Sequence, residues 1–333
     1  MIRVVLLSSE RSGSNLLRRI LGHSAAIAAP PAPQLLKAFA PHWPVIPRDE
    51  ETRRTAAQLA TRLLETHLVP WKYLVSAEEV LARTDASGWD YPHLLDACYG
   101  AYAEEAGKLG YFAKENNAFD FAFPIALRLP DVKFVYLVRD PRDMVLSYMK
   151  APGGPKTAWY AARQWYREQV QCLRVVDELP DRCCVVRYEE LVREPEETVR
   201  SLCEFLGIVY DPAMLSPQEA DREASKASRY WENLGKPILS NNTDKYLREM
   251  PARNIRVVEA FCESVMRRLG YECVTPAGKR RVPGRSRRLF LTVWEQLLRR
   301  LLYQVRVRSA EEKRVRSGRA AVYRAIRELA KTG

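Results

Sequence analysis

The stretch Val4-Val5-Leu6-Leu7-Ser8-Ser9-Glu10-Arg11-Ser12-Gly13-Ser14-Asn15-Leu16-Leu17 decides how this chain is folded. Residues 2–8 are almost all apolar or β-branched, the pattern of a buried parallel strand. A small polar turn follows, in which Gly13 permits a backbone conformation that a side chain would block. Ser12 and Ser14 are the residue types that cap helices. Leu16, Leu17, Ile20 and Leu21 then recur at the spacing of one buried helix face. The strand therefore feeds a helix whose free N–H groups lie beside the Arg11 guanidinium, which suits an anion. A nucleoside-triphosphate P-loop would need a second glycine and a Lys-Ser/Thr pair for Mg²⁺, and neither is present.

A second unit of the same design lies at Lys133-Phe134-Val135-Tyr136-Leu137-Val138-Arg139-Asp140-Pro141-Arg142-Asp143. Arg139 falls where the strand ends, Asp140 reads as N-cap, Pro141 as the first helical residue and Asp143 as an acid of the first turn. Met144, Val145, Tyr148 and Met149 supply the buried face. Ser147, eight residues after Arg139, is two turns along and within reach of the same anion. Arg142 is expected to pair with neighbouring carboxylates, and Arg139 to meet a ligand. Two anion sites at one sheet edge call for a ligand with phosphates at two separate positions.

With these residues in view, the chain resembles the sulfotransferases that use 3′-phosphoadenosine 5′-phosphosulfate (PAPS). The family's first motif, a strand followed by Lys/Arg-Ser-Gly-Ser/Thr, matches Arg11-Ser12-Gly13-Ser14. Its second, Arg-Asp/Asn-Pro-Arg/Lys-Asp with a Ser eight residues after the first Arg, matches Arg139 to Asp143 and Ser147. The resemblance implies that Arg11, Ser12, Gly13, Ser14 and Asn15 hold the 5′-phosphosulfate and that Arg139 and Ser147 hold the 3′-phosphate. The strand and turn Arg182-Cys183-Cys184-Val185-Val186-Arg187-Tyr188-Glu189-Glu190 also look family-like, which points to Tyr188 against the adenine. Residues 239–246 occupy the place of a late loop that closes on the 3′-phosphate, with Lys245 as its cation. The likeness spans roughly residues 1–273. Arg11 stands where many members have Lys; it is a permanently charged, forked donor and a poor proton source.

Sulfuryl transfer to an alcohol requires a base, alignment of the sulfuryl group and stabilisation of the leaving phosphate, chiefly by electrostatic positioning. The family places its base after a middle strand. Here that strand is Gly110-Tyr111-Phe112-Ala113, followed by Lys114-Glu115-Asn116-Asn117. Glu115 is the first candidate for general base, with Lys114 beside the sulfuryl oxygens and expected to keep Glu115 ionised. Arg11 completes the candidate catalytic set. Among the histidines, His42 is closest to the expected acceptor side; His23, His67 and His93 read as parts of helices or their ends. The family needs no metal, and none is expected.

The formal charge of +12 is unevenly spread. Residues 274–333 hold 17 Lys+Arg against 4 Asp+Glu, a balance of +13, which leaves −1 for the other 273 residues. Basicity is thus a property of the tail, not of the catalytic region. No apolar run is long enough to span a bilayer, and Arg3 interrupts the one apolar stretch that could begin a secretory signal. The seven cysteines show no Cys-x-x-Cys spacing, so buried thiols in a reducing cytoplasm are expected.

Residues 28–50, rich in Ala and Pro, read as a loop after the first helix. Helices are expected at 52–68, 91–108, 157–178 and 251–270, with a break at Pro152-Gly153-Gly154-Pro155. Trp43, Trp71, Tyr73 and Trp89 would either line an acceptor pocket or fill the core. In the tail, Leu289, Val293, Leu297, Leu301 and Val305 recur at helical spacing among Arg299, Arg300, Arg306 and Arg308, and a second helix is expected at 310–330.

The chain is therefore expected to form an α/β fold, a central parallel sheet flanked by helices, over residues 1–275. A basic helical extension would follow over 276–333. The function expected is sulfuryl transfer from PAPS to a hydroxyl or amine of a carbohydrate, lipid or small molecule. Two other classes remain open: a P-loop-like small-molecule kinase, and a non-catalytic protein that binds anions or membranes. Residues 285–330 are the place for contact with an anionic membrane or a second copy, which would make the protein cytoplasmic or peripheral on a membrane. Nucleic acid is not an expected partner, since no recognised module is present.

Overall fold

The computed structural model describes residues 1–331 other than 68, 152–153, 228–230 and 307–309. The first unit forms as expected: β1 (Ile2–Ser8) leads into α1 (Ser14–Gly22). Its cap differs. Gly13, at φ +94°, is the N-cap, and neither Ser12 nor Ser14 caps through its side chain. The left-handed backbone at this position is open to glycine at little cost and strained for other residues.

The 28–50 segment is not a plain loop. A two-residue β2 (Ile27–Ala28) overlaps its start, and it contains a short α2 (Leu35–Phe39) and a 3₁₀ turn at Trp43–Val45. Proline masked α2 because the prolines lie on either side of it and leave Leu35, Leu36, Ala38 and Phe39 free to bury. There follow α3 (Glu50–Glu65), α4 (Ala77–Ser87), α5 (Tyr91–Glu105), β3 (Gly110–Ala113) and α6 (Ala122–Arg128). The second unit is β4 (Lys133–Val138) and α7 (Pro141–Lys150), with Asp140 accepting from the Arg142 N–H as N-cap. Next come α8 (Ala158–Glu178), β5 (Cys183–Arg187), α9 (Tyr188–Arg193), α10 (Pro195–Leu206) and α11 (Glu219–Ala227). The last helices are α12 (Tyr246–Glu249), α13 (Ala252–Arg268), α14 (Arg285–Arg306) and α15 (Ala310–Leu329). Residues 152–153 of the expected break, residues 307–308 of the expected tail helix, and the side chains of Arg299, Arg300, Val305 and Arg306 lie outside what is described.

The five strands pair in parallel in the order β2-β3-β1-β4-β5. Both faces are covered, so alternate residues enter different cores. Val4 and Leu6 of β1, with Val135 and Leu137 of β4, meet Leu17, Ile20 and Leu21 of α1 and Leu202 and Leu206 of α10. Val5, Leu7, Phe134, Tyr136 and Val138 face the larger cluster with Tyr99, Trp165, Val258 and Met266. Trp43 and Trp71 belong to that larger core, with Tyr73 and Trp89 packed against it. Val322 and Ile326 of α15 enter the same cluster.

After β1 the chain runs toward β2 and β3, whereas after β4 it runs toward β5 on the other side. β1 and β4 are neighbours whose connections diverge, which opens a crevice at their C-terminal ends. The registers Ser8↔Leu137, Val5↔Ala113 and Val138↔Arg187 put the residues after β1, β3, β4 and β5 on one rim.

Candidate active site

A cavity of about 530 Å³ lies on that rim and is lined by Arg11, Gly13, Ser14, Asn15, Arg139, Ser147, Tyr188 and Lys245. Two distant stretches of sequence meet here directly. The Arg139 guanidinium donates to the Arg11 carbonyl at 3.2 Å, and Arg11 Nε donates to Ser147 Oγ at 3.2 Å. Arg11 itself adopts φ +71°, a conformation that a non-glycine residue holds only when its surroundings enforce it.

Tyr188 joins the two motifs from the start of α9, directly after β5. Its ring lies 4.3 Å from the Arg139 guanidinium carbon and so close to Gly13 that an added Cβ there would stand 2.3 Å from the ring. Gly13 is thus required twice, by its backbone and by this contact. Asn242 donates to the Tyr188 hydroxyl, and its carbonyl accepts from Arg139 Nη2 at 2.8 Å. The segment from Trp231 to Lys245 forms the outer wall. It is anchored by Arg19 of α1, only 2 % exposed, which donates to the Leu234 and Lys236 carbonyls. At the other end of the segment the Tyr246 N–H donates to Asp143. Residues 239–246, with Lys245, are the part of this wall that the sequence places at the site; residues 231–238 and the Arg19 anchor are not foreseen there, and an Arg in the middle of an otherwise apolar helix face is the only local signal of the anchor.

The site carries polar atoms suited to an anion. The first intrahelical bond of α1 runs from the Leu17 N–H to the Gly13 carbonyl, so the N–H groups of Ser14, Asn15 and Leu16 have no partner in the helix. All three residues line the cavity. Ser12 Oγ and Arg139 Nε are buried without a hydrogen-bond partner, a costly state that a bound acceptor oxygen would relieve at Arg139. Ser12 is 1 % exposed and sits beneath the turn, not on the cavity wall. Asp143, 3.8 Å from Arg139, has its pKa raised by burial against the opposing pull of that arginine.

A sequence model described as "Sulfotransferase family" matches residues 3–212. The chain belongs to the sulfotransferase family. Among its relatives, carbohydrate sulfotransferase 3 of Tetronarce californica is 28% identical over 169 residues, 44% of this chain and 37% of that protein. Protein-tyrosine sulfotransferase 1 of Danio rerio is 30% identical over 162 residues, 44% of each. The chain thus spans less than half the length of these two relatives. The sulfotransferase domain of the Synechococcus PCC 7002 olefin synthase shares the fold, with a TM-score of 0.59 at 20% identity, over 82% of this chain and 95% of that one. The sulfotransferase domain from the curacin biosynthetic pathway does so too, with a TM-score of 0.56 at 20% identity, over 81% and 98%.

The other candidate residues lie beside β3, in a closed cluster outside the cavity. Glu115 is 4 % exposed and does not line the cavity. Its carboxylate accepts from the Leu36 N–H of α2 and from the Tyr99 hydroxyl, each at 3.2 Å. Lys114 was expected to keep it ionised; instead burial dominates and pushes the Glu115 pKa up to about 7. Burial, then the like charge of Arg18, lowers Lys114 to about 8, with Glu10 and Glu115 opposing. Glu10, adjacent to Arg11, accepts from Asn116 Nδ2 at 3.0 Å and from the Tyr148 hydroxyl at 3.1 Å; the sequence reading did not single it out.

The histidines are engaged elsewhere. His23 pairs with Asp221 and His93 with Asp90, each at 2.8 Å. His67 stacks on Trp231, and burial lowers its pKa to about 4. His42 precedes the 3₁₀ turn at Trp43 and is outside the cavity. Arg142 pairs as expected, with Asp140 and with Glu259 of α13, both at 2.6 Å.

Proposed function

We propose that the protein transfers a sulfuryl group from PAPS to a hydroxyl or amine of a carbohydrate, a lipid or another small acceptor. The observation that carries this reading is the single cavity shared by the Gly13 turn and Arg139, motifs 126 residues apart in sequence. PAPS would supply a sulfuryl group bonded to its 5′-phosphate, and its transfer breaks that S–O bond as the acceptor bonds to sulfur. The N–H groups at the start of α1, with Arg11 across the turn, would hold the 5′ end and stabilise charge that develops on the leaving phosphate. Arg139, Ser147 and Lys245 would hold the 3′-phosphate, and Tyr188 would lie against the base. The relatives are named for carbohydrate and for protein tyrosine as acceptors, which supports an acceptor with a nucleophilic hydroxyl or amine without choosing among classes.

Glu115 is our candidate for taking the acceptor proton, on its carboxylate oxygen, with Lys114 next to the transferred group. A carboxylate with a pKa near the working pH is suited to that task. The Tyr99 hydroxyl and the α2 amide would orient it. The test is thermal stabilisation of the full chain by 3′,5′-bisphosphoadenosine, ADP and ATP in the presence of a chelator. Bisphosphoadenosine is expected to stabilise far more than the other two. Equal stabilisation by ATP, increased by Mg²⁺, would turn the reading toward a kinase.

A further inference from the structure

α14 leaves most of its apolar residues exposed. Its inward side carries polar groups beside the half-buried Leu291 and Leu298. Glu295 is fully buried and accepts from the Lys156 and Thr157 N–H groups just before α8. Arg288 lies over the Trp159 ring, and the Thr292 hydroxyl donates to the Arg288 carbonyl. Its outward face is apolar: Leu289, Phe290, Val293, Trp294, Leu297 and Leu301 are each between 45% and 68% exposed. At 100° per residue these six fill one continuous arc of about 140°. A patch of this kind marks a surface that something covers.

A groove of about 810 Å³, larger than the cofactor cavity, runs along one flank of this helix. Arg287 and Leu291 of α14 line it together with Arg253, Arg256, Lys279 and Arg281. Those five cations have no carboxylate partner among the described residues. A solvated surface at near-neutral balance would interleave the two signs; residues 274–333 instead carry 17 cations against 4 carboxylates.

We propose that the outer face of α14 and the adjoining cationic groove dock on an anionic lipid bilayer. The helix would lie in the interface with its apolar arc among the acyl chains and the arginines against headgroup phosphates. No helix among the described residues is long and apolar enough to cross a membrane, so the contact is lateral. A second copy of the chain fits less well, because a two-fold contact through this face sets one basic tail against another. α7 borders both sites: Met149 lines the groove, while Ser147 and Lys150 line the cofactor cavity.

The experiment is co-sedimentation of the full chain with phosphatidylcholine vesicles, with and without phosphatidylglycerol, at low and high salt. Binding is expected only to the anionic vesicles and is expected to weaken with salt. The triple variant L289S/F290S/W294S and the triple variant R253Q/R256Q/R281Q should each lose on the order of a hundredfold in vesicle affinity. Both variants change exposed side chains, and their circular-dichroism melting curves should match the parent. Failure of the parent to bind phosphatidylglycerol vesicles overturns the proposal. A dimer in light scattering that L289S/F290S/W294S converts to monomer would assign the face to a second copy instead. Heparin binding that survives that variant while vesicle binding is absent would make the groove a polyanion site.

Discussion

Between β1 and β4 the rim is an open crevice whose cations face a cavity, whereas beside β3 it is closed and the Glu115 carboxylate is buried against α2. The two halves follow from strand order. β1 and β4 send their connections in opposite directions and leave a gap, and the Trp231–Lys245 segment walls that gap without filling it. β3 lies between β1 and β2, and the chain between β2 and β3 folds back over its end, so that Glu115 meets the N-terminal end of α2. The proposed function thereby places binding and proton transfer in environments of different dielectric. Phosphate oxygens need donors at an accessible rim; a base near neutrality needs a dry site.

The sharpest contrast within the open half is between Arg139 and Arg142. Arg139 retains a buried Nε without a partner. Arg142 is fully committed, to Asp140, to Glu259 and to the Glu272 carbonyl, with its guanidinium over the Tyr246 ring. Arg142→Ala should therefore destabilise the fold by about 3–5 kcal/mol, because it leaves buried carboxylates uncompensated. Denaturant unfolding measures this, and a loss below about 1 kcal/mol would mean that Arg142 is not the tie between α7 and α13.

In the closed half, Glu115→Gln is expected to cut turnover by about 10²-fold while sparing cofactor affinity. Glu10→Gln, at the boundary between the halves, is expected to cost less than about tenfold. The reverse order in single-turnover assays would move the base to the open side. The pH profile gives a smaller effect of defined sign. Glu115 must be ionised to accept a proton, so turnover should climb as pH rises through about 7. Lys114 must be charged, so turnover should fall as pH rises through about 8. Lys114→Arg should remove the alkaline limb alone; a profile unchanged by that substitution would separate Lys114 from the chemistry.

Both strand–turn–helix units were legible in the sequence because a buried parallel strand, a polar turn and a helical period of apolar residues are local patterns. Arg139, Asp140 and Ser147 follow from that pattern alone. In the closed half Glu115 and Lys114 were legible by position, but their burial was not. Burial of Glu115 depends on α2, a five-residue helix inside a proline-rich stretch, and on Tyr99 from α5; neither contact has a local signature. The same is true of Arg19, whose partners lie about 200 residues away. Trp43 and Trp71 were ambiguous by type, and packing assigned them to the core.

The central claim is that the Gly13 turn and Arg139 grip opposite ends of one nucleotide. Calorimetric titration of the parent and of Arg139→Ala with 3′,5′-bisphosphoadenosine and with 5′-AMP tests it directly. The loss for the bisphosphate should be on the order of a hundredfold, as for a hydrogen-bonded charge, with AMP affinity nearly unchanged. Equal losses for both ligands would contradict the assignment of the 3′-phosphate to Arg139.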